Sequence, residues 1–281
     1  MSGDLEMKSL VLILSFFVGL LISYVANAFE LPVEYKIHQW KTGEVIGMSI
    51  LAEDTTAMFY EAATASRYSH IGMVLVENGQ VNVVEAIKPQ ARISTLEAFL
   101  SRAGTDAKSL SLQATVLDLR NDLTLGEQAK VIEVAHQLVD KPTLFNEKVV
   151  LDLVNMNAAE LVYFIFKQVN RDVGTIDKVS DINHRAFAGV VWELFQQTGL
   201  AITLDSPVLT PMSIVISPAL VPVIANLPTH EYLADQTLYA QWKAEGYVAK
   251  LGALIGSTEA DLDELNAASS AEPYKVLVTN P

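Results

Sequence analysis

No cysteine occurs among the 281 residues. Disulfides, thiolate metal sites, a lipid-modified bacterial N-terminus and a thiol nucleophile are all excluded by that absence. Positive charge is scarce: 19 Lys and Arg stand against 33 Asp and Glu, a formal net charge of −14. The acidic residues are spread along the chain, so a phosphate backbone would be repelled and nucleic acid is not an expected partner. Internal repeats, low-complexity blocks and long Pro, Gly or Ser linkers are missing, so one run of elements is expected. His38, His136, His184 and His230 show no HExxH or comparable ligand spacing, so no metal or other cofactor is expected. What is abundant is apolar material, 51% of the chain, enough for one sizeable domain.

The N-terminus reads as a targeting segment. Lys8 precedes an apolar run from Leu10 to Ala26, and Ala26-Asn27-Ala28 supplies the small-x-small pattern of signal peptidase sites. Asp4 and Glu6 are out of place in a positive leader, whereas a start at Met7 gives a cleaner one. Residues 1–28 are therefore expected to be a signal peptide and the product an exported, periplasmic or cell-envelope protein. The alternative is an N-terminal anchor giving membrane association through residues 10–26, a run short of the ~20 residues of a comfortable span.

Beyond it, the pattern predicts an α+β domain over 29–225 and a helical extension over 226–281. Thr42-Gly43-Glu44 leads into a strand from Val45 to Ile50, and residues 54–66 read as a helix. His70–Val76 and Val81–Ile87 alternate like strands around Asn78-Gly79, a type I′ hairpin turn. Ser109–Leu119 reads as a strand, and Thr124-Leu-Gly-Glu127 is a capping box opening a helix to about Asp140. Apolar helices are expected over 157–170, 183–198 and 231–255.

A two-residue turn fixes register. Glu77 falls opposite Gln80, so Gly72 falls opposite Glu85 and His70 opposite Ile87. His70, Gly72, Glu85 and Ile87 then share one face, and Ile71, Met73, Leu75, Val84 and Ala86 the other. His70 and Glu85 become diagonal neighbours, ~7–8 Å apart at the backbone and within side-chain reach. A carboxylate accepting the Nδ1–H of a histidine would present Nε2 as a base, as nucleophilic hydrolases require. The plainer reading is a buried polar pair or a solvated hairpin edge. In cysteine enzymes the partner of such a histidine is a thiol at a helix N-terminus. The helix at 157 begins in the right way, but Ala158 stands there, and a methyl group cannot attack a carbonyl.

The succession Lys41-Thr-Gly-Glu44-Val-Ile, Ser69-His70-Ile-Gly72, Val83-Val-Glu85-Ala, Pro142-Thr-Leu-Phe145, Ala158-Ala-Glu160-Leu-Val162 and Leu209-Thr-Pro211 resembles the YiiX/YaeF branch of the permuted NlpC-type papain-like superfamily. The resemblance covers about residues 38–220. It implies a circularly permuted papain-like fold, an antiparallel sheet packed on helices, to which this chain adds a C-terminal helix. It makes His70 the base and Glu85 its orienter, and places Ala158 where the family has its catalytic cysteine. Ala158-Ala159 replaces Cys-Ser and Thr143-Leu144 replaces Tyr-Asp, while Gly43-Glu44 keeps the glycine and a carboxylate. The window Leu153–Tyr163 offers no substitute hydroxyl near Ala158, and Ser69 falls on the face opposite His70.

Three functions follow. The first is an inactive homologue of amidases and peptidases that binds an envelope peptide, cell-wall fragment or acyl-amide in its cleft. The second is an active hydrolase in which His70 serves another nucleophile or an activated water. The third is a structural or partner-binding envelope protein. The stripe around Trp192 and Phe195 is expected to be core, and Glu259, Asp261, Asp263 and Glu264 a solvated helix face. Glu160 has no assigned role beyond shaping the helix terminus.

Overall fold

The computed structural model describes residues 29–50, 55–64, 66–105, 111–141, 143–146, 150–182, 203, 205–229 and 235–271. The expected leader, the 183–198 helix with Trp192 and Phe195, and His184 and His230 lie outside these residues. The described residues from Pro32 onward form one compact unit. Among the described residues no helix is long and apolar enough to cross a membrane.

In chain order the elements are α1 (Val33–Ile37), β1 (Val45–Met48), α2 (Thr55–Thr64), β2 (His70–Glu77), β3 (Gln80–Ile87), β4 (Gln90–Thr95), α3 (Leu96–Leu100), β5 (Ala114–Leu119), α4 (Leu125–Asp140) and α5 (Ala158–Gln168). They continue as β6 (Asp177–Lys178), α6 (Val179–Ile182), β7 (Pro207–Val208), α7 (Pro211–Val215), β8 (Leu220–Ala225), α8 (Asp235–Ala244), α9 (Tyr247–Ile255) and α10 (Glu259–Ala271). The α+β architecture is as expected: a six-stranded sheet of order β4-β3-β2-β1-β5-β8, with antiparallel pairing throughout.

The hairpin register is the one the turn dictates, with Glu77 paired to Gln80 and Met73 to Val84. Asn78 and Gly79 both take positive φ, 51° and 79°, as a type I′ turn demands. The alternation follows from that register. Ile71, Met73, Leu75, Val84 and Ala86 enter a core with Leu161, Val162, Ile165 and Phe166 of α5 and Val131, Val134 and Leu138 of α4. Burying each of the larger side chains contributes ~1.5–3 kcal/mol before entropy is charged. The opposite face is closed by Phe99 of α3. A Cβ on Gly72 would stand 2.5 Å from Val83 Cγ1 and 2.7 Å from Phe99 Cε2.

The capping box on α4 forms as read, Thr124 accepting from Glu127 N–H and Glu127 from Thr124 N–H. Three expectations need correction. The segment Gln90–Thr95 is a strand that the pattern did not announce, as is β8. The span 231–255 is two helices, α8 and α9, because Gly246 takes a left-handed φ of 77° between them, and a further helix, α10, follows. Nor is the acidic run on α10 wholly solvated: Asp263 accepts from Tyr239 at 2.9 Å and pairs with Lys243 at 2.7 Å, tying α10 to α8.

Candidate active site

The start of α5 is held by its own sequence. Asn157, the N-cap, accepts at Oδ1 from the N–H groups of Ala159 at 2.9 Å and Glu160 at 3.0 Å. Glu160, three residues on, accepts the Asn157 N–H at 2.6 Å, completing a capping box. The same carboxylate accepts from Asp152 N–H at 2.9 Å and from Asn146 Nδ2 at 3.0 Å, so the preceding loop is pinned to the helix. Burial pushes Glu160 up to about 7, against the lowering effect of these N–H donors. Glu160 is thus the residue that shapes the helix terminus.

Ala158 is the first residue of α5 and only 6% exposed. It faces a pocket of about 370 Å³, counting space open to solvent, whose lining includes His70, Ala158, Asn157, Tyr60, Ile87 and Phe145. The pocket lies where β2 begins and β3 ends, which lets it draw on both faces of the sheet there.

His70 and Glu85 meet as the register predicts, 2.7 Å apart and both buried. The ring orientation differs from expectation: Nε2, not Nδ1, meets Glu85. Since Glu85 is held as an anion, Nε2–H donates, and Nδ1 is the nitrogen left for the pocket. Phe99 flanks the imidazole at 5.5 Å between ring centres.

Glu85 has further partners that sequence reasoning missed. It accepts from Arg92 Nε at 3.0 Å, from Ser94 Oγ at 2.7 Å, and from Arg102. Burial alone would raise this carboxyl; the hydrogen bond and charge of His70, the Arg102 charge and the Ser94 hydroxyl outweigh it and hold Glu85 well below the usual carboxylate range. Arg92 is paired directly across from Glu85 on β4, so recognising that strand would have found it. Nothing local in the sequence signals Arg102.

Ser69 also lines the pocket, but its hydroxyl is committed elsewhere. It donates to Glu61 at 3.0 Å and accepts from Ile50 N–H at 2.9 Å. Glu61, on α2 and fully buried, also accepts from Ser49 at 2.6 Å and from the Trp242 indole at 3.3 Å, and pairs with Arg67 at 3.3 Å. Burial pushes it up to about 7, with Arg67 and these donors pulling the other way. Through Trp242 and an Arg67–Glu245 pair at 3.1 Å, α8 is anchored behind this wall of the pocket.

The arrangement brings together a capped helix start and a histidine oriented by a carboxylate, the geometry of nucleophilic acyl transfer. At the position where a nucleophile would stand there is a methyl group. Permuted papain-like amidase enzymes of the YaeF/YiiX type, the C92 family, match residues 39–224. No curated protein gives a significant match. Among solved structures, the chain is similar to the metalloprotein YiiX from Escherichia coli O157:H7, at 22% identity and a TM-score of 0.56, over 68% of this chain and 100% of that one. That likeness speaks for the fold, and the family match spans most of the sequence. The chain therefore belongs to the YaeF/YiiX family of permuted papain-like amidases.

Proposed function

We propose that this protein is an exported, catalytically inactive member of its family, which binds a peptide, cell-wall fragment or acyl-amide in the pocket without cleaving it. One observation carries the reading: Ala158 occupies the first turn of α5 while the cap beneath it and the His70–Glu85 pair beside it are intact. Losing the thiol alone removes the attacking atom and leaves the binding surface. The apolar run from Leu10 to Ala26 behind Lys8 supports export.

The residues at the pocket do not fit a metal ion. Among the described residues no three His, Asp or Glu side chains cluster suitably. Glu85 is already shared by two guanidinium groups, which would repel a cation.

Restoring the nucleophile tests the reading. The full chain and its Ala158→Cys variant are treated with iodoacetamide across pH and assayed on peptide and acyl-amide substrates. The restored cysteine should alkylate well below the ~8.5 of a free thiol, and adding His70→Ala should abolish that advantage. A thiol that behaves like any exposed cysteine would show that the pair is structural only. Hydrolysis by the unmodified chain, lost in His70→Ala, would instead identify a water-activating enzyme.

A further inference from the structure

The pocket contains an unspent donor. Asn157 is 2% exposed and lines the pocket, and its Nδ2 is buried without a hydrogen-bond partner. The amide cannot be turned over to solve this, because Oδ1 already receives two helix N–H groups and an NH2 there would face two donors. An unmet buried N–H is costly, so the position asks for an acceptor. Beside it, at the first position of α5, the Ala158 N–H is one of the groups a helix leaves unpaired within itself, and the N-cap oxygen serves Ala159 and Glu160 instead.

Charge decides which acceptor. An active relative would place a thiolate against the α5 N-terminus and the histidine. In this chain the methyl of Ala158 carries no charge, so the helix end has no anion on its pocket side. Glu160, the carboxylate in the first turn, is not part of the pocket lining and is taken up by the Asn157 and Asp152 N–H groups and Asn146 Nδ2. The other nearby charges do not replace it: Glu85 faces two cations, Arg92 and Arg102, besides His70. The remaining lining is largely apolar, including Ile50, Ala57, Ile87, Phe145 and Pro211.

We propose that the pocket binds a carboxylate carried on an apolar group, its oxygens accepting from Asn157 Nδ2–H and Ala158 N–H. This rests on the inactive-homologue reading and narrows its ligand from amides in general to the acid a cleaved amide leaves behind. An acyl chain and a peptide C-terminus share that chemistry.

Calorimetric titration of the full chain tests it with two matched pairs, octanoate against octanamide and acetyl-dialanine against its C-terminal amide. At least one acid should bind about tenfold or more tightly than its amide, and which acid does so separates the acyl source from the peptide source. Asn157→Asp retains an N-cap acceptor while replacing the donor with a negative charge, and should lose that preference. Asn157→Ser, which also retains the cap, stands in if the aspartate variant unfolds. Equal affinity for acid and amide, no binding of either acid, or an Asn157→Asp chain that binds like the original would overturn the proposal. Turnover of an amide by the unmodified chain would sink the inactive-homologue reading instead, leaving the acid preference as product binding.

Discussion

Two histidine–glutamate pairs with buried carboxylates sit at opposite ends of the same strands, and they behave in opposite ways. At the pocket end His70 meets Glu85 at 2.7 Å; at the far end, just before β1, His38 meets Glu44 at the same 2.7 Å. Both carboxylates are buried, 0% and 1% exposed. Glu85 is nevertheless held below the usual carboxylate range, whereas burial holds Glu44 above it despite the Lys41 N–H and His38. The difference is in the surrounding charges: the Arg102 charge pulls Glu85 down, whereas the Asp118 charge pushes Glu44 further up. Arg92 and Arg102 reach Glu85, while the other donors to Glu44 are a backbone N–H and one imidazole. An identical His–Glu distance therefore says little about protonation; what surrounds the carboxylate decides it.

The sharpest way to break this comparison is to neutralise each carboxylate in turn. Glu85→Gln leaves Arg102, whose side chain is only 10% exposed, without its counter-charge. Removing one partner of a buried pair costs ~3–5 kcal/mol. Arg92 is 46% exposed and can turn to water, so it adds little. Glu44→Gln removes a charge that burial already disfavours and keeps an acceptor, so its cost should stay below about 1 kcal/mol. Denaturant unfolding of both variants at neutral pH measures the gap. Equal losses would mean that the arginines do not distinguish the two sites.

A second contrast sets Glu85 against Glu61 and Glu160, the two carboxyls that burial raises to about 7. A depressed carboxyl stabilises the fold above the ordinary carboxylate range and loses that contribution as the pH falls through it. For a raised carboxyl the sign reverses: the native state holds the extra proton, so stability is greatest below the unfolded value of 4.5 and declines as pH rises to about 7. For fully buried Glu61 the decline is on the order of 3 kcal/mol. Stability should therefore peak near pH 5 and fall towards neutrality, and Glu61→Gln should remove a large part of that fall, the rest belonging to Glu160 and to Glu44, which burial also raises. Unfolding free energies at pH 5 and pH 7.5 read this directly; a flat profile in the unmodified chain would refute it.

How much of this could be read from the residues follows the range of each signal. The Asn78-Gly79 turn is local and rigid, so it carried register as far as His70 and Glu85 and sorted both faces of the hairpin correctly. The ring flip of His70 was not legible, because register fixes where a side chain starts and not which nitrogen it turns inward. Glu160 was more legible than its reading allowed: Asn157 three residues before a Glu is a capping signature. Arg92 sat in an unrecognised strand, since Gln90–Thr95 follows Pro89 and carries little apolar alternation. Arg102 arrives from the turn after α3 and reaches Glu85 only through tertiary packing. The break at Gly246 was local, but the apolar pattern on both sides outweighed one glycine.

The finest discrimination comes from the glycines beside each pair, which separate stability from function. Gly72→Ala drives a methyl into Val83 and Phe99, and Gly43→Ala drives one to 2.6 Å from Leu123 Cδ1 at a φ of 98°. Overpacking at the first and left-handed strain at the second should each cost ~1–3 kcal/mol, so melting temperatures should fall comparably. Only Gly72 touches the ring that flanks His70. In the Ala158→Cys background, Gly72→Ala should therefore shift the pH profile of alkylation, while Gly43→Ala should leave it in place. A shift of the same size in both would mean that the two ends of the strands are mechanically coupled and that the contrast between them is one of charge alone.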